Sequence, residues 1–217
     1  MPCYSLQGVV PVVHPGSFVH PLASLIGDVI VGPGCFIAPG ASLRGDFGRI
    51  IVEGDSSIQD NCVLHSSPGA DCIVKRGATV GHGAVLHGCV VEEHALIGIS
   101  AVVLDHAVIG AESLVAALTL VKNDLIVPPR SLVAGNPARI VKQFTAAQIT
   151  WRNDGDSEYQ RLAREMLAEC VEVAPLAEMA PDRPRMRSTA IPVRLRGPAA
   201  HERERRVAAR MEAPGHE

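Results

Sequence analysis

Aromatic side chains are nearly missing: the 217 residues hold one Trp, two Tyr and four Phe, although 47% of the chain is apolar. A core must therefore be filled by Val, Ile, Leu and Ala rather than by large rings. No apolar run approaches the roughly 20 residues of a membrane span, and the chain does not open with a charged stretch followed by an apolar one. Strong charge of one sign is also lacking. A net charge of −3 gives no electrostatic case for nucleic acid or an anionic membrane as partner. The six cysteines (Cys3, Cys35, Cys62, Cys72, Cys89 and Cys170) form no CxxC pair. They read as reduced thiols of a cytoplasmic protein, most of them small core fillers.

What is present is a repeat. Set out in sixes from Val13, the chain reads VHPGSF, VHPLAS, LIGDVI, VGPGCF, IAPGAS, LRGDFG. Three residues (49–51) interrupt before VEGDSS, IQDNCV and LHSSPG, and four more (70–73) before VKRGAT, VGHGAV and the five-residue LHGCV. From Val91 the pattern runs unbroken through VEEHAL, IGISAV, VLDHAV, IGAESL, VAALTL and VKNDLI. All eighteen blocks open with Val, Leu or Ile, and the fifth place is small or Val except at Phe47, Pro68 and Leu125. A six-residue period points to a parallel β-helix with a triangular cross-section, three blocks to a coil, the coils stacked about 4.8 Å apart. A β-sandwich would instead show period two with turns every 8–12 residues. The β-helix domain is expected over 1–144.

Past Val121 the repeat fades, and from Thr145 the spacing becomes helical. Thr145 is a plausible N-cap, and Tyr159, Leu162, Met166 and Cys170 follow at intervals of three and four. The segment 145–174 is expected to carry a helix covering apolar surface of the prism. Beyond it, 175–217 reads as a strap and then a disordered basic tail, with nine basic and four acidic residues after position 182.

The repeat gives the histidines meaning. His65 and His87 are each second in a block, and the block heads Leu64 and Leu86 lie 22 residues apart, one 18-residue coil plus the four inserted residues. They should stack on one face at about 4.8 Å, a separation that suits two imidazoles converging on one metal ion. His82 is third in its block, around a corner, and its five-residue path to His87 spans at most about 17 Å. Across a threefold axis, a neighbouring prism could bring it to the other two. Three histidines with an open fourth position describe a catalytic metal site. His14, His20, His94, His106, His201 and His216 read as polar surface residues.

Arg44-Gly45-Asp46, the run Ile58-Gln59-Asp60-Asn61-Cys62-Val63-Leu64-His65, and Gly81-His82-Gly83-Ala84-Val85-Leu86-His87-Gly88 together resemble motifs of the γ-class carbonic anhydrase-like hexapeptide-repeat family. The resemblance implies a left-handed parallel β-helix assembled as a homotrimer. It implies a divalent metal, Zn first with Fe or Co as alternatives, held at subunit interfaces by His65, His82 and His87. It further implies that Arg44 and Asp46 support the contact between subunits and that Gln59 and Asp60 serve beside the metal. Longer stretches, among them SFVHPLASLIGDVI, SIQDNCVLH and EYQRLAREMLAECVEVAPL, resemble the branch containing the PaaY proteins of phenylacetic acid degradation and the CaiE proteins of the carnitine operon, over roughly residues 1–187.

Departures from the γ-class pattern shape the functional expectation. Phe47 stands where prototypes carry a carboxylate, the SSPGADC segment after His65 has no glutamate, and the two tyrosines, Tyr4 and Tyr159, lie outside the repeats. Fast CO2 hydration needs a proton relay that these positions do not supply. The expected activity is a metal-dependent acyl-CoA thioesterase of phenylacetate catabolism, in which metal-activated hydroxide attacks the thioester of a small-molecule acyl-CoA. Alternatives are carbonic anhydrase activity, an acyltransferase (Gly135-Asn136-Pro137-Ala138 resembles the closing turn of such prisms), and a non-catalytic trimer.

Overall fold

The computed structural model describes residues 3–151 and 157–186. Within residues 1–171 the chain winds as a parallel β-solenoid with three faces, each seven rungs deep. The first face runs from Cys3–Tyr4 through Ser24–Val31, Ser42–Val52, Val63–His65, Val85–His87 and Val102–Val103 to Leu120–Val121. The second stacks Val12–Val13 above the later halves of the two long strands, then Cys72–Val74, Val90–Val91, Val108–Ile109 and Ile126–Val127. The third runs from Phe18–Val19 to Ser131–Ala134, where the antiparallel strand Arg139–Gln143 covers the last parallel edge.

The period-six reading maps directly onto this architecture. The block heads point inward as vertical columns: Leu25, Leu43, Leu64, Leu86, Val103 and Val121 on the first face are all fully buried. The fifth-place residues fill the corners beside them. Cys35, Ala41, Cys62, Ala78, Ala84, Ala95, Ala101 and Ala107 are buried because the chain turns too tightly there for anything larger. At many corners the fourth-place residue adopts the left-handed region, and in the later coils these are not glycines but His94, Ser100, His106, Glu112, Leu118 and Asp124. Leu118 is the outlier among them, a bulky side chain at φ +59° that is also 75% exposed.

Helix α1 (Glu158–Glu169) is shorter than the expected 145–174 segment. Thr145 caps only a single 3-10 turn, its amide donating to Gln148 Oε1 at 3.0 Å. The α-helix begins with Ser157 as N-cap and Gln160 completing a capping box. Its apolar stripe, Tyr159, Leu162, Ala163 and Met166, packs on Phe18, Phe36 and Ala38 of the third face. The rings of Phe18, Phe36 and Tyr159 continue as a stack at 5.7 Å centroid spacing. Cys170, which the spacing placed on that stripe, is the exposed C-cap.

Residues 172–186 belong to a second unit and are exposed, without helix or strand. The expected basic tail falls largely on residues outside those described. Among the described residues, no helix is long and apolar enough to cross a membrane.

All six cysteines are free thiols, and Cys35, Cys62, Cys72 and Cys89 are buried. Burial pushes the Cys35 and Cys62 thiols up to about 11. A thiol reagent at pH 8 should therefore label two of the six at once, Cys3 and Cys170, and the other four only after denaturation. Mass-spectrometric counting of modified sites before and after guanidinium checks this.

Candidate metal and acyl-transfer site

Every departure from the six-residue period falls at one corner, between the first and second faces. Successive block heads across it are nine residues apart at Leu43–Val52, ten at Leu64–Val74 and five at Leu86–Val91, against six at Val103–Ile109. The two inserts and the one deletion surround His65 and His87. A corner that need not turn in the standard way is free to carry side chains for another purpose.

His65 and His87 are partners in register on adjacent rungs, as the heads 22 residues apart require. Their nearest ring nitrogens, His65 Nδ1 and His87 Nε2, lie 3.1 Å apart. The remaining nitrogen of each ring meets a carboxylate. His65 Nε2 lies 2.8 Å from Asp46 Oδ1, and His87 Nδ1 lies 2.9 and 3.0 Å from the two oxygens of Asp105. Asp46 also pairs with Arg44 within the same chain. Desolvation works against ionisation of Asp46, but hydrogen bonds from His65 and Arg44 and the guanidinium charge outweigh it, holding the carboxyl below its ordinary range. Asp105 is treated the same way: desolvation raises its pKa, and hydrogen bonds with His87 and Ser67 more than reverse this.

These contacts decide the chemistry of the pair. With both imidazoles neutral, each carboxylate holds a proton on the nitrogen it faces. Two lone pairs, on His65 Nδ1 and His87 Nε2, are then aimed at one another. That arrangement is repulsive unless a proton or a cation lies between them. Two donors on a tetrahedral Zn at 2.0–2.1 Å are about 3.3 Å apart, close to the separation found. The donor set therefore fits a divalent metal.

His82 stands on the next corner, with its side chain 49% exposed. Its Nδ1 lies 2.7 Å from Asp60 Oδ2, and its backbone amide donates to Gln59 Oε1 at 3.3 Å. Gln59 is 5% exposed, whereas Asp60 is on the surface. Among the described residues, no three His, Cys, Asp or Glu side chains are placed to hold a metal within one chain. The site residues thus form two clusters, Arg44–Asp46–His65–His87 and Gln59–Asp60–His82, as the corner between them demands.

Two participants escaped the sequence reading. Asp105 lies one coil beyond His87, and only the shortened block pointed toward it. Tyr159 lies outside the repeats, yet α1 brings its phenol beside the Gln59 side chain, and burial together with the Asp60 charge pushes the phenol up. Phe47 is exposed and stands beside His65 at 5.6 Å between ring centroids. His14 and His20, read as plain surface residues, accept hydrogen bonds from the Gly16 and Leu22 amides and shape their own turns.

Comparison with known proteins agrees with this architecture. The bacterial transferase hexapeptide family (six repeats) matches residues 11–45. The carnitine operon protein CaiE of Salmonella newport is 47% identical over 189 residues, covering 87% of this chain and 96% of that protein. A hexapeptide transferase family protein from Anaplasma phagocytophilum superposes with a TM-score of 0.67 at 32% identity, over 77% of this chain and 95% of the other. A candidate acetyltransferase from Bacillus cereus gives 0.68 at 30%, over 76% and 92%. The fold is the left-handed parallel β-helix of hexapeptide-repeat proteins.

Proposed function

Because this chain belongs to the family of hexapeptide-repeat proteins that includes carnitine operon protein CaiE, we propose that it acts on an acyl-CoA thioester at a metal site completed by a second copy of itself. The observation that carries the reading is that His65, His87 and His82 are each backed by a carboxylate, yet only two of them meet within one chain. A cyclic trimer would place the exposed His82 of one subunit against the His65–His87 pair of the next. The corner carrying His82 continues downward through exposed Ile99 and the left-handed Leu118. An apolar ridge with a strained leucine at its tip is better suited to a protein contact than to water.

A divalent cation held by His65, His87 and a neighbour's His82 would acidify water and polarise a carbonyl. The protein's own residues do the rest. Asp46, Asp105 and Asp60 fix the protons on His65 Nε2, His87 Nδ1 and His82 Nδ1, so that the opposite nitrogens keep their lone pairs. Asp60 thereby orients an imidazole, while buried Gln59 accepts from the His82 backbone amide and lies beside Tyr159. Phe47 keeps the mouth apolar, which favours an aromatic acyl group over a charged one. In hydrolysis a water oxygen bonds to the thioester carbon, the C–S bond breaks, and the departing thiolate takes up a proton.

A second reading is acyl transfer, favoured by the transferase family match and by the Bacillus cereus relative. One assay separates the two. Metal-loaded protein is expected to release CoA thiol from phenylacetyl-CoA or its ring-oxidised derivatives in water alone, and His82→Ala to lose that release. Release that depends on an added amine or alcohol would assign transfer. No release from any thioester, with metal bound, would sink both and make CO2 hydration the next measurement.

A further inference from the structure

The carboxylates beside His65 and His82, Asp46 and Asp60, fall within the motifs read from the sequence, each one coil before its histidine. The carboxylate beside His87 lies one coil after it and was in no motif. We propose that Asp105 is a positioning residue of the shared site: it holds the Nδ1 proton of His87, so that Nε2 faces His65. This rests on the metal reading given above.

Three observations carry it. Asp105 accepts at His87 Nδ1 with both oxygens, at 2.9 and 3.0 Å, from a side chain only 16% exposed. Ser67, two residues after His65, lies beside the same carboxylate, so Asp105 stands against both sides of the histidine pair. The backbone is also shaped to admit it. The corner after His87 is one residue shorter than the corner beneath, and at Gly88 (φ +54°) a Cβ would lie on top of Asp105 Oδ1. Deletion and glycine together open the space through which Asp105 reaches the imidazole.

The consequence concerns the tautomer. Without Asp105, His87 could carry its proton on Nε2 and donate it to His65 Nδ1. That would give a satisfied neutral pair with no free lone pair between the rings for a cation. With Asp105 present the proton is drawn to the far nitrogen, and the two facing lone pairs remain unsatisfied until a cation arrives.

The test is zinc affinity, measured on the full-length protein by competition with a chromophoric chelator, alongside the His87 proton position from long-range 1H–15N NMR of the metal-free protein. Asp105→Ala is expected to weaken zinc binding about 10–100-fold and to move the proton to Nε2. Asp105→Asn keeps an acceptor oxygen for Nδ1–H and should stay within about threefold of wild type. If Asp105→Ala does not fold by circular dichroism, Asp105→Ser, too short to reach the ring, takes its place. Wild-type zinc affinity in the truncated variant overturns the proposal, whatever the proton does. A wild type that takes up no zinc also overturns it, but by removing the metal reading beneath it. That case is recognised because no variant binds zinc.

Discussion

Co-expressing His82→Ala subunits with His87→Ala subunits is expected to restore activity that neither variant has alone. Each single variant should fall about a hundredfold or more, since every site loses one of its three ligands. In a cyclic trimer each site draws His65 and His87 from one subunit and His82 from the next. Any mixed trimer then contains a single intact site, whichever variant is in excess. With equal expression about three quarters of trimers are mixed, so activity should return to about one quarter of wild type. Zinc content should rise in the same proportion. Mixed material that stays inactive, although mass spectrometry shows hybrid trimers, would mean that His82 does not complete the site of a neighbour. The assay is thiol release for the hydrolytic reading, but the zinc count stands without it.

Gly48→Ala should produce the largest loss of stability of any single methyl addition in the solenoid. A Cβ at Gly48 would sit inside the Ala70 carbonyl oxygen and 2.7 Å from Ser66 Oγ. Both obstacles belong to the segment that follows His65, and the first is backbone, which cannot rotate away. The expected cost is about 3 kcal/mol, which lowers Tm by roughly 6–12 °C in a chain of this size. Gly69→Ala is the control. Gly69 has φ +83° but open space around its Cβ position, so it should cost only the left-handed penalty of about 1–2 kcal/mol. Equal Tm losses would show that backbone angle rather than close approach limits this corner. Because Ser66 adjoins His65, Gly48→Ala should also weaken zinc binding, which Gly69→Ala should leave nearly intact.

Much of the site was legible in advance because the repeat acts as a ruler. Once the block heads are known to point inward, the second place of a block must point outward, and the stacking of His65 on His87 follows by counting. The same counting put His82 on another corner, so a site completed within one chain was not expected, and none is placed among the described residues. The ruler fails where it is broken. Asp105 stands beside His87 because a corner lost a residue, and no regular spacing predicts how a shortened turn redirects the side chain below it. Tyr159 was set aside as lying outside the barrel, since helical spacing gives a stripe but not the rung on which the helix lands. The length of α1 was overestimated for a related reason. Thr145 and Ser157 are both credible caps, and only packing against Phe18 and Phe36 selects the second as the start of the helix.

The sequence alone determined the solenoid, its core and the face that carries His65 and His87, because a strict period converts position along the chain into position on the prism. The tertiary structure alone decided which carboxylate stands behind each imidazole and which residues of α1 reach Gln59. Those contacts join coils and elements whose separation in the chain follows no period, and they are set by how side chains fill the irregular corner that the repeat leaves open.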